Sequence, residues 1–435
     1  MTDIATPGID IADPMFWRRP LATRMADFAT LREAEPFTRV EFDDILTGGK
    51  DSFHSVTRYA DVIEVSKSPK VFCSGNGSIS IQDMPTDALE FFGSFITMDD
   101  PRHARQRGIV GRSFTPRRLQ SVLDSVDRIC TEVIDDMCEQ GEVDLVQAIS
   151  APFPLLVICD MMGIPRSEFD TVMDATNVIL GAGDPDMLGG KDIMTAIFEA
   201  GLTLTILMNE LAEFRRTNPV DDLTSELVHN DLGEDMLAPS DLGPFFILLA
   251  VAGNDTTRTA TSLGLDLLFN NPEQRQIWQS DVANVTSSAV EEIVRCAAPV
   301  TFMRRTATEP VTLSGHDFDT GDKVVMFYGA ANRDPRVFDD PEAFDVRRDP
   351  NPHVGFGGPG PHFCLGAHLA RRELAVIFRQ IFDRLPDIEP AGDPVFLEAM
   401  GIPLVGGVKR FPVRFTPTAR VGTTGGDFER RGPRG

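Results

Sequence analysis

Positive charge is in short supply: 41 lysines and arginines stand against 66 aspartates and glutamates, a net charge of −25. That balance excludes nucleic-acid binding by the chain as a whole and makes any local basic patch informative. Cysteine is sparse as well. The six, Cys73, Cys130, Cys138, Cys159, Cys296 and Cys364, are scattered without a CxxC pair. Neither a disulfide framework nor a zinc cage is expected, and a reduced, cytoplasmic setting fits. Long apolar runs are missing too. "FFILLAVAG", from Phe245, breaks at Asn254 and Asp255 and is too short to span a bilayer. The opening "MTDIATPGIDIADPMFWRRP" has no basic-then-apolar leader pattern. A soluble protein with no membrane span is expected, and no internal repeat is visible.

What is present is an ordinary globular composition, 42% hydrophobic and 25% charged over 435 residues. Length alone allows two or three domains or one large fold. From Phe114 to about Arg215 the apolar spacing is helical, broken by turn clusters such as "GIPRSEF" and "GAGDPD". "APSDLGPFFILLAVAGNDTTRTATSLGLDLLFNNPEQ" reads as one helix, roughly 45 Å long at 1.5 Å per residue, with Ser240 as N-cap and Asn271-Pro272 as its end. Its first half is apolar all round, so it is buried. "FHSVTRYADVIEVSKSP" reads as a strand and then a helix, and "VTLSGHDF" and "KVVMFYGA" as strands. The expected fold is mainly α with a small β region. An irregular arm covers residues 1–20, a single domain 21–417 and a flexible tail 418–435.

Three stretches carry chemistry. "GFGGPGPHFCLGAHLAR", residues 355–371, places Cys364 between a glycine-rich loop and a helix whose apolar positions run on through Leu374, Ile377, Phe378, Ile381 and Leu385. Unpaired N–H groups and the positive dipole end favour a thiolate there; a small buried hydrophobe is the other reading of a free cysteine. "AGNDTT", Ala252 to Thr257, puts poor helix formers where the buried helix should be strongest, and threonine back-bonding can bend it. A solvated polar face is the alternative, although the flanking turns are apolar. "AVEEIVRCAAPV" sets Glu292 and Arg295 on one helix face, which alone is a common surface pair.

In this order these stretches resemble the cytochrome P-450 superfamily of haem-thiolate monooxygenases, from about residue 15 to residue 415. The resemblance implies that fold, with the long helix crossing a haem b group. Cys364 would be the axial ligand of the haem iron, a strong donor that favours O–O cleavage. Phe356 would cover the ligand, Gly366 would let the helix pack on the porphyrin, and Ala252 and Gly253 would lie beside the haem. Thr256 would hydrogen-bond the iron-bound oxygen, with Asp255 feeding protons. Glu292 and Arg295 would join Arg348 in "FDVRRDPNPHVGFG", clamping the proline-rich meander, residues 333–353, against the haem loop. Arg347 and Glu291 are their immediate neighbours and rivals. His103 and Arg107 in "DDPRHARQR", Arg305 in "FMRRTAT" and His362 would serve two buried propionates. Singly, each reads as well as surface charge.

Phe356 lies eight residues before the cysteine, where the commonest bacterial pattern has seven, with Gly357, Gly358 and Pro359 lengthening the loop. A similar insertion occurs in actinobacterial enzymes that hydroxylate the terminal carbon of methyl-branched lipids and sterol side chains. "FFGSFITMDDPRHARQR", "ICDMMGIP", "TNVILGAGDPD" and "ANRDPRVF" resemble the same group. The likeness implies omega-hydroxylation of methyl-branched fatty acids, isoprenoid lipids or cholestenone-type side chains. Its rivals are hydroxylation of a smaller terpenoid or steroid and a non-catalytic haem or lipid sensor. It would place Ile79, Phe92, Leu248, Val251, Val300 and Leu404 against substrate, positions that otherwise read as core. No flavin or nicotinamide module follows the cysteine helix. Electrons are therefore expected from NAD(P)H through an external ferredoxin and its reductase, docking on Arg105, Arg112 and Arg371. A monomer is expected.

Overall fold

The computed structural model describes residues 8–35, 37–44, 48–113, 116–181, 183–229, 237–398 and 401–422. The long helix spans Pro239–Asn270 without a break. Its N-cap is Ala238 rather than Ser240, and the Asp241 carboxylate accepts the Ala238 N–H at 3.3 Å. Asn271 and Pro272 end it. This central helix buries Phe245, Phe246, Ile247, Ala250, Leu263, Leu265 and Leu268. Around it pack the helices Pro152–Met162, Ile193–Thr217, Val282–Ala297 and Ala367–Arg384, the last called here the cysteine helix. Glycine inside the central helix has a packing reason. A Cβ on Gly253 would sit 2.8 Å from Ile158 Cδ1, and one on Gly264 2.7 Å from Phe378 Cζ. The helix runs on through "AGNDTT", where Gly253 lets Ile158 approach closely. Helix Ile193–Thr217 is long and apolar enough to cross a membrane by composition, but it turns Ala200, Leu204, Met208 and Leu211 inward.

The main sheet orders its strands Arg39–Asp43, Lys50–Val56, Lys323–Phe327, Phe302–Ala307 and Phe72–Cys73. All neighbours are antiparallel except Lys50–Val56 with Lys323–Phe327. Every side chain of Lys323–Phe327 is buried, as a central strand covered on both faces requires. Residues 8–20 are not an irregular arm. Asp13 caps a short helix, Pro14–Trp17, and Ile11, Phe16 and Trp17 are buried in a cluster with Phe28 and Phe327. Of the expected tail, residues 418–422 lie along the body, where Val421 and Gly422 donate N–H to Asp135. Residues 423–435 lie outside the described residues.

From Asn332 to Gly366 the backbone forms neither helix nor strand, so its buried carbonyls need donors from elsewhere. Arg295 supplies them to Asn332, Pro341 and Ala343 at 3.0, 2.7 and 2.8 Å. Arg348 reaches the more exposed carbonyls of Asp339, Asp340 and Ala343 at 2.7, 3.1 and 3.1 Å. Both are held by Glu292, which is fully buried. It accepts Arg295 at 2.7 and 2.8 Å, Arg348 Nε at 3.2 Å, the Asp345 N–H at 2.9 Å and Asn351 Nδ2 at 3.0 Å. Arg347 is exposed and outside this clamp. Glu291 is engaged elsewhere, by Arg371 and His353. Glu292→Gln leaves two buried guanidiniums without their counter-charge and should cost about 3–5 kcal/mol in urea unfolding; a loss under about 1 kcal/mol would show that the clamp is dispensable.

Candidate active site

Cys364 stands two residues before Gly366, the N-cap of the cysteine helix Ala367–Arg384. Its own N–H donates to the Phe356 carbonyl at 3.0 Å, which folds the loop back on itself. The thiol lies deep in the molecule, yet its free surface faces a cavity rather than packed atoms. Burial pushes its proton affinity up, while the Gly366 N–H, Arg107 and Arg371 pull it back. The helix start alone therefore does not keep it ionised, because burial outweighs it. The loop glycines answer to a different neighbour from the sulfur. A Cβ on Gly360 would meet the Ser66 carbonyl at 2.2 Å, and one on Gly358 the Ser66 hydroxyl at 2.5 Å. The insertion thus rests on helix Tyr59–Lys67. Phe356 lies under the guanidinium of Arg371, 4.3 Å from its ring centre. Arg371 is bound to Glu291 at 2.6 and 2.8 Å. Burial raises the Glu291 carboxyl, but Arg371 and His353 override it and hold it at about 2. Arg371 is thereby ion-paired while its side chain stays 34% exposed, and Arg105 and Arg112 are exposed on helix Arg102–Ser113.

Four donors converge beside this loop. The rings of His103 and His362 lie 4.1 Å apart, Arg107 donates to the Phe363 carbonyl, and Arg305 donates to the Arg304 carbonyl at 2.7 Å. Arg305 is buried, its pKa lowered by burial. Burial and the charges of Arg305, His103 and Arg107 depress His362 to about 2. His103 Nε2 and His362 Nδ1 are buried without a partner. Such a set calls for an anion, since burying donors and cations unmatched is costly. Gly366 faces open space where a Cβ would stand. A thiol donor, a cleared approach and a donor cluster with two unpartnered ring nitrogens fit a haem with two propionates, which Cys364, His103, Arg107, Arg305 and His362 would hold.

Across the cavity the central helix presents Phe245, Leu248, Leu249, Ala252, Gly253 and Thr256. Thr256 donates to the Ala252 carbonyl at 2.8 Å. Asp255 is buried, with Oδ1 unpaired, and burial lifts it to about 6 against the counter-pull of Arg258. Leu248 and Val300 line the cavity; Ile79, Phe92, Val251 and Leu404 are not in its described wall. Phe92 wedges against Gly201 beneath helix Ile193–Thr217, and Val251 points into packing about 100° round the helix from Ala252. Leu404 packs with the N-terminal cluster, and Ile79 is half-buried in the loop after Phe72–Cys73.

Glu373 escaped the sequence reading. It is buried on the cysteine helix, lines the cavity, accepts Thr257 Oγ1 at 3.1 Å and is pushed up to about 8 by burial. The signal was there, since Glu373 interrupts an apolar stripe at four residues from both Leu369 and Ile377.

A central helix over a cysteine loop with a cationic cluster defines a haem-thiolate enzyme, and the comparisons agree: the chain belongs to the cytochrome P450 family, whose model matches residues 191–386. Among individual relatives, it is 40% identical over 421 residues to a Mycobacterium tuberculosis methyl-branched lipid omega-hydroxylase, covering 95% of this chain and 96% of that one. It is 35% identical over 404 residues to a Mycolicibacterium smegmatis steroid C26-monooxygenase, covering 92% of each. A solved Mycobacterium marinum cytochrome P450, CYP268A2 in complex with pseudoionone, superposes with a TM-score of 0.87 at 39% identity, covering 94% of this chain and 98% of that one. The chain is a P450 monooxygenase.

Cys364→Ser should abolish the thiolate-type spectrum of the reduced carbonyl complex; its survival would remove Cys364 as the ligand. Glu373 binds its proton more tightly folded than unfolded, so its contribution to stability falls as pH rises from about 4.5 to about 8. Glu373→Gln should flatten that fall, by on the order of 3–5 kcal/mol across the window in chemical denaturation; an unchanged slope would place the titration elsewhere.

Proposed function

We propose that the protein inserts one oxygen atom of dioxygen into the terminal C–H bond of a methyl-branched fatty acid, an isoprenoid lipid or a cholestenone-type side chain. Electrons come from NAD(P)H through an external ferredoxin and reductase, with Arg105 and Arg112 on the docking face. The observation that carries this reading is the cavity wall. Phe95, Ile96, Phe245, Leu248, Leu249, Val300 and Met303 bring no charge to it. Its charged side chains among the described residues are Arg107 and Arg305, in the cationic cluster, and Glu373. A hydrocarbon can shed its water there without stranding a polar group. The names of the two hydroxylase relatives point to the same substrate classes.

When bound, the haem supplies dioxygen reduction and C–H oxidation. The chain's own residues set the conditions. Cys364 offers the sulfur, its charge eased by the Gly366 N–H. Asp255, lifted to about 6 by burial, holds a proton closer to neutrality than an exposed aspartate does and acts as the acid. Thr256 gives its hydroxyl hydrogen to the Ala252 carbonyl, leaving its oxygen lone pairs to receive a proton chain from Asp255. A sensor needs no such acid. Hydroxylation of a smaller isoprenoid is the second reading, favoured by the CYP268A2 structure with pseudoionone.

The test is a difference-spectrum titration of the ferric protein with phytanic acid, a straight-chain fatty acid, cholestenone and linalool. A low-spin to high-spin shift with phytanic acid or cholestenone at micromolar levels, and none with linalool, is expected. A shift with linalool alone would overturn the lipid assignment in favour of the smaller substrate.

A further inference from the structure

Arg258 lies one turn beyond Asp255 on the central helix and is buried among groups that compete for it. Its Nη1 donates to Asn177 Oδ1 at 2.9 Å, on helix Phe169–Leu180. Its Nη2 reaches the Val408 carbonyl at 3.4 Å, on strand Val408–Arg410. Nη1 stands 3.8 Å from Asp255 Oδ1, beyond hydrogen-bond range. Asp255 Oδ1 and Arg258 Nε are both buried without a partner. The guanidinium is thus held just short of a carboxylate whose free oxygen it could satisfy with a small side-chain rotation. The two elements that hold it are fastened together: Lys409, next to Val408, binds Asp184 at 2.9 Å and Asp186 at 2.6 Å, just beyond Leu180.

We propose that Asn177 and the Val408 carbonyl form a catch that holds Arg258 off Asp255 while helix Phe169–Leu180 and strand Val408–Arg410 are seated. Released from the catch, Arg258 closes on Asp255, whose proton leaves to solvent, and the carboxylate is withdrawn from proton delivery. Asn177 and Arg258 are positioning residues: neither lines the cavity, and both act through Asp255. The electrostatics are simple. Arg258 is the one charged group acting on Asp255 among the described residues, while Asn177 and the Val408 carbonyl are neutral. Arg258 already pulls on Asp255 from 3.8 Å, and a direct hydrogen bond to the carboxylate lowers its pKa further. Proton supply then depends on the seating of helix Phe169–Leu180 and strand Val408–Arg410, so electrons are not spent while these two elements are unseated. This inference rests on the reading of Asp255 as the proton donor.

The test is an infrared pH titration of the ferric holoenzyme, with the Asp255 carboxylic acid band assigned by difference against Asp255→Asn. In Asn177→Leu the midpoint should fall by about one unit or more, and in Asn177→Leu/Arg258→Met it should return to the starting value or above. Asn177→Ala replaces the leucine variant if that fails to fold. An unmoved midpoint in the single variant overturns the catch. A midpoint that falls and stays low in the double variant also overturns it, because Arg258 is then not the agent. In parallel, product formed per NADH consumed is measured with phytanic acid, a surrogate ferredoxin and its reductase. Full coupling in Asp255→Asn would overturn the proton-donor reading while leaving the infrared result on the arginine to stand by itself.

Discussion

A buried glutamate organises the part of this molecule that carries the chemistry. The segment from Asn332 to Gly366 makes no ladder or helix of its own, so its carbonyls are exposed to the penalty of being buried unmatched. Arg295 bonds the carbonyls of Asn332, Pro341 and Ala343 and Arg348 those of Asp339, Asp340 and Ala343, and Glu292 balances the charge of both guanidiniums. The glycine loop is then pinned from the other side by its contact with Ser66. Position and chemistry are linked in this way: Cys364 is placed by an irregular chain, and that chain is shaped by side-chain donors rather than by backbone pairing.

The cavity divides its polarity by function. Cationic and imidazole donors gather near the cysteine loop, with the Asp100 carboxylate 3.3 Å from His103 Nδ1, whereas the central helix offers apolar side chains, Thr256 and Thr257. Two carboxylic acids, Asp255 and Glu373, are lifted by burial and so hold protons close to neutral pH, the condition an acid must meet to be useful there. Burial also works on the thiol, in the direction that opposes ionisation. A coordinated metal cation reverses that direction outright, so the sulfur is a poor anion by itself and a good ligand. Beside Asp255 stands Arg258, whose hydrogen bonds join the acid's surroundings to Asn177 and Val408.

Much of the site was readable from local spacing. Glu292 and Arg295, three apart on one helix, and Cys364 at a loop-to-helix junction need only the helix period to be placed. Choosing Arg348 over Arg347, or Glu292 over Glu291, needed the fold, because adjacent residues differ only in which way they point. The resemblance set both Leu248 and Val251 on the wall. Leu248 faces the cavity and Val251 does not, although both sit on an all-apolar stretch that shows no preferred face. Gly253, a weak helix former, is also the seat of Ile158. Residues 8–20 looked irregular because no period runs through them, yet Phe16 and Trp17 are core.

By itself the sequence determined the class of the fold and placed the cysteine before its helix, Asp255 and Thr256 inside the central helix, and Glu292 and Arg295 on one helix face, since each placement is set by neighbours within a turn or two. Tertiary structure alone decided which of several equivalent apolar residues line the cavity, that the loop glycines serve Ser66, that Glu373 is a buried acid, and that Arg258 is shared between Asn177, Val408 and Asp255. Those outcomes depend on contacts between residues tens to hundreds of positions apart, whose burial raises or lowers charge by amounts that no local pattern encodes.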